Sequence, residues 1–167
     1  MIRWLIKYVA MFIVLVLIQV LILNQVQFSG FVNPYIYILF VMLLPLSTPR
    51  YGVMLSGFLI GLTIDIFSNS LGLHAAATVF IAYLRPFVIR TISGREDEMS
   101  DYPGLKQNTF SWFLYYTAIM VFFHHFLLFY LEIYTFSHFL TTLYRVVLSS
   151  LFSVFIIVLS QFLMFRE

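Results

Sequence analysis

A chain of 167 residues that is 62% hydrophobic and 10% charged, with a mean hydropathy of +1.00, is not a water-soluble domain, because soluble domains carry about 25% charged and about 45–50% apolar residues. The composition describes an all-α, polytopic integral membrane protein, and its formal net charge of +2 matters less than where the basic residues fall. The lack of cysteine excludes disulfides and thiolate metal sites, and twenty Phe and eleven Tyr suit lipid-facing and interfacial surfaces better than an aromatic binding box.

Residues 1–167 read as one transmembrane domain with spans at about 4–23, 34–46, 52–67, 72–89, 110–131 and 139–165, a compact six-helix bundle. The first run is entered by Arg3 and Lys7, with Trp4 and Tyr8 at interfacial positions. A signal peptide also starts basic and continues apolar, but this run exceeds an h-region of about 7–15 residues and no small-x-small cleavage site follows, which predicts an uncleaved first helix. Asn24 to Asn33 is a polar loop. Pro34 to Leu46 is short: as an α-helix it would reach only about 20 Å, less than a bilayer core of about 30 Å. It is either a thin, kinked span completed by its neighbours or a re-entrant segment, and the basic Arg50 beyond it favours a span.

The stretch from Gly52 to Arg90 predicts two apolar helices folded back on each other at Phe67-Ser68-Asn69-Ser70-Leu71-Gly72. Gly57, Gly61 and Asp65 are spaced by four and share one helical face, so the acid belongs to a packed, small-residue surface and has a partner there. After Thr91–Asn108, a solvated connection of mixed charge, span five contains His124 and His125, and span six contains Arg145.

Depth sorts the buried charges. Asp65 lies roughly 5 Å and Arg145 roughly 9 Å below the same surface at 1.5 Å per helical residue, whereas Arg85 lies near the opposite end, where it could snorkel to headgroups. Matching depth predicts an Asp65–Arg145 ion pair, either fixing helix register or serving a ligand. Adjacent histidines point about 100° apart, so His124 and His125 predict interhelical hydrogen bonds and not a metal site.

With the N-terminus inside, Arg3, Lys7, Arg50, Arg85, Arg90, Arg95, Lys106 and Arg166 all fall on or near the cytoplasmic side, while the outer loops 24–33, 68–71 and 132–138 hold no Lys or Arg. Six spans with both termini cytoplasmic follow. No phosphate-binding, dinucleotide-binding, zinc-protease or lipidation pattern occurs, so nothing predicts an enzyme, a cofactor or a metal.

The run Pro34 to Leu46, then Pro49-Arg50-Tyr51-Gly52, then Gly57-x-x-x-Gly61-x-x-x-Asp65 and Leu71-Gly72 leading to Ala82-Tyr83-Leu84, resembles the rod shape-determining protein MreD family. The hairpin carries the specific part of this resemblance; the remainder is similar in length and hydropathy. The resemblance implies a non-enzymatic component of the bacterial cell-elongation machinery in the cytoplasmic (inner) membrane, helping to organise peptidoglycan synthesis. It implies as partners MreC, the MreB filament, and RodA with its penicillin-binding transpeptidase. It also implies a helical fold akin to the S components of energy-coupling-factor transporters, and places the family's acid at Asp65 and its glycines at Gly57, Gly61 and Gly72. A rival reading is an S-component-like subunit that binds a small ligand near Asp65. The first span disfavours it, offering only Ala10 where a small-residue patch would seat the partner subunit.

Overall fold

The computed structural model describes residues 2–25, 32–93, 101–133 and 139–164, with the side chains of residues 2–4 left aside. The expectations for Arg95, Arg166 and the end of span six at position 165 lie outside the described residues, and those for Arg3 and Trp4 rest on the side chains left aside. Among the described residues the chain is helical: α1 (Ile2–Leu21), α2 (Ile38–Met42), α3 (Arg50–Ser68), α4 (Leu73–Ile92), α5 (Phe110–Ile133) and α6 (Phe139–Met164), with a 3-10 turn at Leu23–Gln25 after α1. All but α2 are long and apolar enough to cross a membrane. Their outward faces are apolar, as Leu5, Val9 and Ile13 on α1 and Leu151, Phe155 and Leu159 on α6 illustrate. The protein is a multi-pass membrane protein.

Contacts at the two ends of the bundle set the direction of the helices. Asn24 Nδ2 donates to Ser68 Oγ, so α1 and α3 finish at the same end of the bundle. At the opposite end the Lys7 ammonium lies 5.7 Å from the Tyr102 ring centroid and the Leu46 amide donates to the Asp101 carbonyl. Lys7, Arg50, Arg90 and Lys106 therefore belong to one basic end.

Residues 33–46 connect the two ends, and they do so without a membrane-length helix. Residues 32–36 are non-helical, α2 makes little more than one turn, and the chain turns again before Pro49. An all-helical reading is too short because it assigns 1.5 Å to every residue. Non-helical residues can advance up to about 3.3 Å each, so residues 32–36 can cover up to about 16 Å before α2 adds about 8 Å. All five residues of α2 are buried, Ile38, Val41 and Met42 completely, so the segment runs inside the bundle among α1, α3, α4 and α5.

Irregular backbone at membrane depth must find partners within the protein, since lipid offers none. Here side chains from the surrounding helices supply them. Gln19 of α1 donates to the Pro34 carbonyl (3.1 Å) and accepts from the Ile36 amide (2.8 Å). Ser149 and Ser153, one turn apart on α6, accept from the amides of Asn33 and Tyr35. Past α2, the Tyr116 hydroxyl donates to the Met42 carbonyl and Arg85 donates to the Leu44 carbonyl. The expectation that Arg85 snorkels to the headgroups is thus corrected: its side chain is 4% exposed and turned inward to a carbonyl left free by the break before Pro45.

Candidate functional site

The α3–α4 hairpin is where the predicted residues Gly57, Gly61, Asp65 and Gly72 come together. A Cβ built on Gly57 would lie 3.1 Å from the Thr78 carbonyl oxygen, and one on Gly61 would lie 2.5 Å from Ala75 Cα and 2.7 Å from Ala75 N. The two helices therefore approach backbone to backbone, as small-residue faces permit. The reversal uses two left-handed residues, Asn69 (φ 52°) and Gly72 (φ 79°). The amides of Asn69 and Ser70 both return to the Asp65 carbonyl and close α3.

Gly72 occupies the N-cap position of α4 and has no side chain to cap it. Asp65 performs that task from the neighbouring helix. Its Oδ1 accepts from the His74 amide at 3.0 Å and from Ser70 Oγ at 2.6 Å, and its Oδ2 accepts from the Ala75 amide at 2.9 Å. An acid 2% exposed is tolerable here because it meets the free amides and the positive end of a 20-residue helix.

The predicted Asp65–Arg145 pair does not form. Arg145 instead bonds Glu132 at the end of α5, Nη1 to Oε2 at 2.8 Å, and lies 4.1 Å from the Phe129 ring centroid. Depth matching identified two charges at one end of the bundle, but α4 offered Asp65 a helix terminus and α5 offered Arg145 a carboxylate.

Deeper than the cap lies a buried aromatic and imidazole cluster. The Tyr37 hydroxyl is 2.8 Å from both His74 Nδ1 and His124 Nε2. One hydroxyl proton cannot serve both rings. The arrangement that leaves no unpaired N–H on His124 has its Nε2–H donating to Tyr37 and Tyr37 donating to His74 Nδ1; His124 Nδ1, which has no partner among the described residues, is then a bare acceptor. His125 Nδ1 donates to the Val121 carbonyl, so its Nε2 accepts from Ser153, and Ser153 in turn accepts from the Tyr35 amide. The Tyr35 ring packs against His74, His124 and His125 at 5.2–6.0 Å between centroids. The expected interhelical hydrogen bond is made by His125 to Ser153 of α6, whereas His124 bonds Tyr37 of the crossing segment. Both rings also pack against Tyr35 of that segment. Among the described residues no three His, Asp or Glu side chains are grouped to hold a metal.

Above the cluster, at the end away from Lys7, lies a cavity of about 370 Å³. Asn24, Tyr35, Ser70 and His74 line it, with Glu132 and Arg145. Asp65 does not line it. Gln19, Tyr35, Tyr37, Tyr116, Glu132, Ser149 and Ser153 join the polar core and the cavity only in three dimensions. A lone Gln among aliphatics and two Ser one turn apart are legible signals; a Tyr in so aromatic a chain is not.

The fold and site define a multi-pass helical membrane protein with a polar core built around a broken crossing. No family model, no curated protein and no solved structure matches this chain.

Proposed function

We propose that the chain is a non-enzymatic membrane scaffold of the bacterial cell-elongation machinery, as its resemblance to the rod shape-determining protein MreD implies. One observation supports this reading best: the residues that carry the resemblance are consumed by architecture. Asp65 has both oxygens engaged by the α4 terminus and Ser70, and Gly57 and Gly61 admit the α4 backbone. Such a hairpin is a rigid platform on which other proteins can dock, and the reading assigns it no reaction. On this reading the end carrying Lys7, Arg50, Arg90 and Lys106 faces the cytoplasm, with both termini there. The partners are MreC, the MreB filament, and RodA with its penicillin-binding transpeptidase, in the inner membrane. The fold is kin to the S components of energy-coupling-factor transporters.

Depletion in a rod-shaped bacterium is the test. Cells should round up, and tagged protein should co-purify with MreC; unchanged cell width with no MreC recovered would overturn the reading. A reporter after Asp101 should be cytoplasmic and one after Gln25 external.

The 370 Å³ cavity favours a second reading, an S-component-like subunit binding a small ligand, since ligand pockets run about 300–1,000 Å³. Retention of a small metabolite through purification, lost in Tyr35→Ala, together with normal cell width on depletion, would move the assignment to it.

A further inference from the structure

We propose that the basic end of the bundle holds a pocket for a phosphate group, and that its place at the membrane surface makes the headgroup of an anionic lipid the occupant. A cavity of about 240 Å³ opens between the first turn of α3 and the second half of α4, lined by Thr48, Arg50, Val53, Arg85, Ile89 and Arg90. This inference does not rest on the elongation reading and uses the end of the molecule opposite the larger cavity.

The charge balance of the pocket carries the argument. Arg85 is buried, yet its acceptors are the Tyr116 hydroxyl (Nε, 3.2 Å) and the Leu44 carbonyl, both neutral. Among the described residues the one ion pair is Arg145–Glu132, at the other end of the bundle, and no described carboxylate pairs with Arg50, Arg85 or Arg90. A guanidinium has five N–H donors, and serving Tyr116 and Leu44 occupies two of them. A neutral amide could satisfy the Leu44 carbonyl equally well, so that bond does not account for a buried full charge beside two further arginines. A buried cation calls for an anion, and a phosphate with several oxygens suits the guanidinium fork.

The helix beside the pocket adds to the same field. Helix α3 starts at Arg50 after Pro49 with no side-chain cap, so the amides of its first turn and its positive end face this region. In contrast to α4, no side chain of the described residues caps that terminus.

Size and surroundings select the occupant. The cavity is smaller than a pocket for a drug-sized molecule and suits a phosphate with a short linker. Acyl chains would lie outside it, along exposed apolar side chains of the same two helices, including Tyr51, Leu55 and Phe87. Phe87 adjoins the pocket, with the Arg50 guanidinium 5.9 Å from its ring centroid.

The full-length protein in detergent, titrated separately with phosphatidylglycerol, phosphatidylcholine and inorganic phosphate, provides the test, read by native mass spectrometry and thermal unfolding. Phosphatidylglycerol should be retained one to one and raise the unfolding temperature, phosphatidylcholine should not, and added salt should weaken retention. Arg85→Gln removes a fold contact, so the decisive variant is R50Q/R90Q. It should unfold like the parent in lipid-free detergent but hold phosphatidylglycerol about tenfold more weakly or worse. Stabilisation by inorganic phosphate alone, lost in R50Q/R90Q, would uphold the phosphate pocket and assign it a soluble source. Equal retention of both lipids, or parent-like retention by R50Q/R90Q, would overturn the proposal.

Discussion

The carboxylate of Asp65 and the amide of Ala75 meet at 2.9 Å, so helix α3 supplies the N-terminal cap of helix α4. Asp65→Ala should therefore behave as the loss of a buried cap, stranding the His74 and Ala75 amides. The expected cost is about 1–3 kcal/mol, and Asp65→Asn, which keeps one acceptor oxygen, should cost less. Thermal unfolding in detergent measures both, and equal losses would refute capping as the role of this acid.

Because Arg145 pairs with Glu132 and not with Asp65, two double-mutant cycles should give different answers. Asp65→Ala and Arg145→Ala should add to within about 0.5 kcal/mol. Glu132→Ala and Arg145→Ala should couple by about 0.2–1 kcal/mol, the range for a pair whose Glu132 side chain remains 44% exposed.

Gly61 and Gly72 should fail for different reasons. Gly61→Ala drives a methyl into the Ala75 backbone and Thr78, which can be relieved only by separating α3 from α4. Gly72→Ala meets nothing within 4 Å and incurs only the strain of φ 79°, about 1–2 kcal/mol. Gly61→Ala should thus lower the unfolding temperature more, and Gly61→Leu should abolish the folded protein. Tolerance of Gly61→Leu in a size-exclusion and melting assay would contradict the close approach.

Gln19→Leu should separate packing from hydrogen bonding in the broken crossing. The substitution preserves bulk but leaves the Pro34 carbonyl and the Ile36 amide unpaired where no lipid can serve them. A loss of about 1–3 kcal/mol is expected. Tyr116→Phe, which strands both the Met42 carbonyl and the Arg85 Nε–H, should cost a comparable amount. A neutral Gln19→Leu would mean that water reaches this segment.

The local pattern of residues determined a good deal here. Apolar runs long enough to span a bilayer made five of the helices predictable, and glycine spacing placed Gly57, Gly61 and Asp65 on one packed face, because a helix converts spacing into direction without help from other segments. The choice of partners was decided only in three dimensions. Asp65 could have met Arg145 by depth, but the end of α4 arrives beside it once the Asn69 and Gly72 turn closes. The segment from Asn33 to Leu46 has too few residues to cross as a helix and lies inside the bundle as partly non-helical chain. It does so because Gln19, Arg85, Tyr116, Ser149 and Ser153, distributed over four helices, satisfy its backbone. A backbone group carries no record in sequence of which distant side chain will bond it, so that arrangement exists only when the helices are assembled.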